Sequence, residues 1–138
     1  MSVFFECRGS VVWSPSPRMA RLFVAQVRSL EAACAIASGI SDVTNDEVAL
    51  DADVLRAFVQ VMGDQLADLA DSKSATFASL LGGVFALSWG LLTASTPGIA
   101  RPAWPDTIHR LASRGERLIT GTGSPPPVFQ GLDAERAL

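Results

Sequence analysis

Between Ser74 and Ala100 the chain carries no charged residue, and Phe77, Leu80, Leu81, Val84, Phe85, Leu87, Trp89, Leu91 and Leu92 fall on every face of a helix. A helix that is apolar all round is either the core of a domain or a membrane span, and this run is long enough to cross a bilayer. It is interrupted by Gly82, Gly83 and Gly90 and by the hydroxyls of Thr76, Ser79, Ser88, Thr93, Ser95 and Thr96. Amphipathic segments upstream also need something apolar to pack against. The run therefore reads as a central buried helix over residues 75–95 of a soluble protein. An anchor over 75–96 is the reading it displaces.

Those upstream segments are two. Ser16 is placed to accept a hydrogen bond from an early helical N–H, and Pro17 suits a first helical position because no donor is needed there. Met19, Leu22, Phe23, Val27, Leu30 and Cys34 then recur at three- and four-residue spacing, which predicts a helix over about 17–38, ending near Gly39. Asp51 reads as the cap of a second helix over about 52–71. Its apolar stripe is Leu55, Phe58, Val59, Met62, Leu66 and Leu69, opposite the acidic row Asp53, Asp64, Asp68 and Asp71. Pro97-Gly98 stops the apolar helix, and a last helix is expected over about 105–119 around Ile108, Leu111 and Ala112.

Ahead of these helices, Val3 to Trp13 reads as two short β-rich runs about Arg8-Gly9, a hairpin whose apolar face must lie on the helices because a lone hairpin is marginal in water. Val48-Ala49-Leu50 is a further candidate for extended structure. The fold expected is mainly α: a three- to four-helix bundle with a short N-terminal hairpin in one domain, 1–120. The Gly- and Pro-rich residues 121–138 are expected to form a flexible tail. At 138 residues and 49% hydrophobic content, one core is the natural outcome.

The formal net charge is −3, and ten arginines and the single lysine, Lys73, form no basic run, so nucleic acid is not an expected partner. The start, MSVFFECRGS, has no positive segment followed by a long apolar one. A cytoplasmic protein with Cys7 and Cys34 as free thiols is expected.

No glycine-rich phosphate loop, nucleophile elbow or paired-histidine motif occurs, and His109 is the only histidine. A zinc site would need Cys7, Cys34, His109 and a carboxylate from distant segments, so no metal or cofactor is expected. Cys34 lies on an apolar helix face, where a thiol is usually inert. Asn45-Asp46-Glu47 is the most suggestive polar cluster, because Arg18 or Arg21 could meet it in a directional fork. Such a fork either pins the loop to the first helix or forms the corner of a pocket. In the second case Arg21, Asp46 and Glu47 are the catalytic candidates, with Trp13, Arg18, Arg21, Asn45, Phe85 and Trp89 around a ligand.

Gly82, Ala86 and Gly90 repeat every four residues and let another helix approach closely, either one from the same chain or one from a second subunit. With Asp64, Asp68 and Asp71 they are the candidate interface residues.

The chain resembles a family of short, uncharacterised bacterial proteins known only as a domain of unknown function. The resemblance lies in Trp13-Ser14-Pro15-Ser16, where the family tends to have Asn after the Trp, and in Arg21-Leu22-Phe23. It continues through Gly39-Ile40, Asn45-Asp46-Glu47, Asp51 and Ala57-Phe58-Val59. It covers the first two-thirds of the chain and implies no activity or catalytic residue. The function expected is that of a small soluble binding protein that recognises a protein partner or a second copy of itself. The alternative is a small-molecule binder or a cofactor-free cyclase or isomerase with an aromatic-lined pocket.

Overall fold

The computed structural model describes residues 1–69 and 75–121. In chain order the elements are β1 (Phe4–Cys7), β2 (Ser10–Trp13), α1 (Pro17–Cys34), β3 (Glu47–Ala49), α2 (Ala52–Leu69), α3 (Ala75–Ser95) and α4 (Asp106–Thr120). Four helices and a small sheet share one core, as the apolar periodicity requires. The expected tail falls, from residue 122 on, outside the described residues, as does Asp71.

β1 and β2 form the expected hairpin, with Phe5 opposite Trp13 and Cys7 opposite Ser10. Its two-residue turn puts Arg8 and Gly9 at φ 53° and 82°. Positive φ at both central positions matches the right-handed twist of the strands. The sheet gains a third strand that periodicity only hinted at: β3 pairs in parallel with β1, Phe5 beside Val48, so β1 is central in the order β2-β1-β3. This pairing answers how so short a hairpin is held, because β1 is bonded on both edges.

The Ser16 hydroxyl accepts from the N–H of Met19 at 3.3 Å, and Pro17 opens α1. The helix stops at Cys34, four residues before the expected end. Ala35 turns left-handed, and Glu31 captures both the N–H and the hydroxyl of Ser38, at 2.8 and 2.6 Å. The Glu31 carboxylate thus holds the buried Ser38 as the chain turns back past the helix end. Gly39 then has φ 75°, and a side chain there would meet the carbonyl oxygen of Asp51 at 2.7 Å. The Asp51 carboxylate caps α2 by accepting from the N–H groups of Asp53 and Val54.

α3 is the centre of the bundle. Leu81, Val84, Phe85, Trp89, Leu91 and Leu92 are all buried. The stretch Thr76–Ser95 has the length and composition to cross a membrane, but 56% of its most apolar window is buried inside this domain. Its first turns are open: Thr76, Phe77, Ser79, Leu80 and Gly83 are exposed.

Candidate functional site

The small residues of α3 find their partner within the chain. A Cβ on Gly115 of α4 would fall on the carbonyl oxygen of Ala86, and one on Gly90 would meet Cγ1 of Ile119 at 2.6 Å. α3 and α4 thus cross backbone to backbone at Ala86, Gly90 and Gly115, the close approach that small residues permit. Sequence spacing exposed the α3 half of this contact; its counterpart on α4 is Gly115.

Beside the crossing lies a polar knot. Glu116 accepts from the Trp89 indole N–H and from Arg101, both at 2.7 Å, and Arg101 also donates to the Ser113 hydroxyl and the His109 carbonyl. Burial raises the pKa of Glu116, but these donors and the nearby positive charge outweigh it, so its carboxyl sits below the usual range. Trp104 packs edge-on against Phe85 and Trp89 and rests on Gly63, where a Cβ would meet its Cε2 at 2.6 Å. The His109 ring stands 6.2 Å from that of Trp104. The cavity at this box, lined in part by Arg56, Gln60, Trp89 and Trp104, measures about 40 Å³. That is room for little more than one water and none for an organic substrate.

The Asn-Asp-Glu cluster forms a turn. Thr44 and Glu47 exchange backbone hydrogen bonds at 2.9 and 3.0 Å, and the central residues Asn45 and Asp46 both have positive φ, 51° and 60°. Asn and Asp tolerate that conformation because their short polar side chains relieve it locally. The arginine that pins the connection is Arg28, not Arg18 or Arg21. Arg28 forks between Glu31 at 2.8 Å and Asp42 at 3.0 Å and also donates to the Ile40 carbonyl. For Glu31, burial again acts upward, but the bonds from Ser38 and Arg28 prevail and hold it low.

Arg18, Arg21, Asn45, Asp46 and Glu47 are all exposed, and none of their side chains joins an ion pair among the described residues. The aromatic candidates are divided: Trp13 stacks with Phe5 and Phe23, while Phe85 and Trp89 stack on Trp104. The thiol of Cys34 donates to the Gln65 amide oxygen, and Cys7 is buried in the core. Asp53, Asp64 and Asp68 form a wet face of α2.

What remains is a surface feature that no single helix wheel displays. Leu66, Ala78, Gly82, Gly83, Leu87, Ile108, Leu111 and Leu118 line an open groove of about 640 Å³ between α3 and α4, with Ser79, Thr107 and Arg114 as polar members. On α4 the lining residues 107, 111, 114 and 118 form one stripe. Gly82 and Gly83 leave the floor without side chains, and Leu118 on its wall stands 55% exposed.

Fold and site together define a small domain of four helices on a three-stranded sheet, with an apolar groove and, among the described residues, no assembled catalytic set. The chain belongs to a family of unknown function, DUF6086, whose model matches residues 1–120. That span takes in the groove and leaves the Pro-rich end outside it. No curated protein and no solved structure matches the chain.

Proposed function

We propose that this protein is a binding module whose α3/α4 groove takes up a short apolar segment of a protein partner. The observation that carries this is the exposure of Leu118 in a groove lined also by Leu87, Leu111, Gly82 and Gly83. Soluble domains seldom leave contiguous apolar surface open without using it. The groove follows α4 for about 17 Å from Thr107 to Leu118, or three helical turns. That length suits an amphipathic helix or an extended strand with two or three apolar anchors.

The acidic row of α2 is the competing contact surface. Capture from a lysate of the source cells separates the two with three forms of the full chain: wild type, Leu118→Asp, and Asp64→Asn with Asp68→Asn. A protein retained by the wild type and the α2 variant but lost by Leu118→Asp supports the groove. Loss confined to the α2 variant moves the site to the acidic face. A small molecule bound at stoichiometric level in native mass spectrometry, displaced by Leu118→Asp, replaces the protein partner with an apolar ligand.

A further inference from the structure

We propose that Trp104 is a removable plug, and that the slot it fills binds a planar aromatic acid when the plug swings out. The site shares no lining residue with the α3/α4 groove and does not rest on the function proposed above. Trp104 is 7% exposed, yet its chain neighbours Ala103 and Pro105 are both exposed. Its indole N–H is buried and has no acceptor among the described residues, whereas that of Trp89 beside it donates to Glu116 at 2.7 Å. A buried donor left unpaired costs free energy that the same group does not cost in water. The closed position of this ring is therefore opposed by its own polar atom. The ring rests on Gly63, where a Cβ would meet Nε1 at 2.8 Å, so its seat on α2 is bare backbone.

The backbone around the ring is held as lightly. Residues 97–105 cross from α3 to α4, and Arg101 ties this strap to α4 through Ser113, Glu116 and the His109 carbonyl. Beyond Arg101, the Trp104 backbone N–H bonds only within the strap, to the Pro102 carbonyl at 2.9 Å. Turning residues 102–104 outward thus breaks no hydrogen bond to α2 or α3 among the described residues, and it leaves Arg101 in place.

The outline of the vacated slot names the ligand. Phe85 and Trp89 meet the Trp104 ring edge-on, with centroids 5.3 and 5.5 Å away, and Gly63 is a flat floor. Such walls fit a flat aromatic ring of indole size. The small cavity beside the ring is lined also by Arg56 and Gln60, both exposed, and Arg56 joins no ion pair among the described residues. A guanidinium at the mouth of an aromatic slot selects a carboxylate carried by the ring. With Trp104 in place the cavity measures about 40 Å³, so the acid enters only when the plug is out. Binding therefore draws on the open population. With about 1% of molecules open, an intrinsic Kd of about 1 µM would be read as about 0.1 mM.

The test is NMR of the full chain, in which the indole N–H signals of Trp13, Trp89 and Trp104 are followed as indole-3-acetate is added, with uncharged indole as the second probe. The expected result is a saturable change in which the Trp104 signal moves toward its position in the urea-unfolded chain while backbone amides across the domain keep their folded positions. Arg56→Gln, a change at an exposed position, should weaken indole-3-acetate about tenfold and leave indole unaffected. No saturable change in the wild type up to millimolar probe overturns the proposal. So does saturation that shifts the Leu111 and Leu118 signals and leaves Trp104 in place, which would put the acid in the α3/α4 groove. Equal weakening of both probes by Arg56→Gln overturns the assignment of the carboxylate.

Discussion

Replacing Gly115 by alanine adds one methyl group where the structure has no space for it. The new Cβ would fall on the Ala86 carbonyl oxygen and lie 3.1 Å from the Ala86 Cα. The obstacle is backbone, so no side chain can swing aside, and α3 and α4 must separate by more than 1 Å, roughly. A gap of that order forfeits about half of the dispersion energy across the contact. The contact includes Ala86, Ala112 and Ile119, all buried. Overpacking of this kind costs roughly 3–4 kcal/mol, against about 1 kcal/mol returned by the better helix propensity of alanine. The net loss of about 2–3 kcal/mol should lower Tm by roughly 10 °C. Gly83→Ala is the control: it adds the same methyl in the same helix pair, but nothing lies within 4 Å of it. It should gain about 0.5–1 kcal/mol from propensity alone. Thermal and urea denaturation followed by circular dichroism measure both. A Gly115→Ala protein that melts at or above the wild type would refute the backbone crossing of α3 and α4.

Three further outcomes follow from the geometry. Asp46→Gly creates Asn-Gly in a turn with two positive φ values and should stabilise by about 0.5–1 kcal/mol in urea denaturation; a loss would mean the Asp46 side chain does more than complete a turn. Asp51→Ala removes the acceptor for two N–H groups at the start of α2 and should cost about 1 kcal/mol by the same measurement. Glu31 and Glu116 titrate below their ordinary value of 4.5 in the folded protein, so their stabilisation is complete above that pH and is lost as the pH falls through the lower folded values. Melting temperature should therefore hold between pH 7 and about 5 and drop below about 4.5, with a shallower drop in Glu116→Gln.

Local signals in the sequence were legible where one segment decides its own structure. Ser16, Pro17 and Asp51 marked helix starts because capping is settled within four residues, and Arg8-Gly9 marked a hairpin because turn geometry is settled within two. Signals that need a second segment were not legible. Nothing about Val48 reveals that β1 lies in parallel beside it, and nothing about Gly63 reveals that Trp104 will rest on it. The polar connection shows the boundary well. An arginine–carboxylate fork to α1 was foreseeable from composition, but the choice of Arg28 and Asp42 over Arg21 and Asp46 depends on where α1 ends and how the connection returns past it. The groove escaped for a related reason: Leu87, Leu111 and Leu118 look like core residues until the paired helices show which flank stays uncovered.

The central place of β1 also sets an order on synthesis. Its antiparallel neighbour follows within a few residues, but its parallel one, β3, comes only after all of α1 and the connection behind it have been made. On the ribosome β1 and β2 emerge ahead of β3, and a β1 edge left bare invites pairing with other chains. Until Glu47–Ala49 is made, the second edge of β1 has no partner within the chain. Slowing translation just upstream of residue 47 should therefore lower the soluble yield more than an equal pause placed after α2.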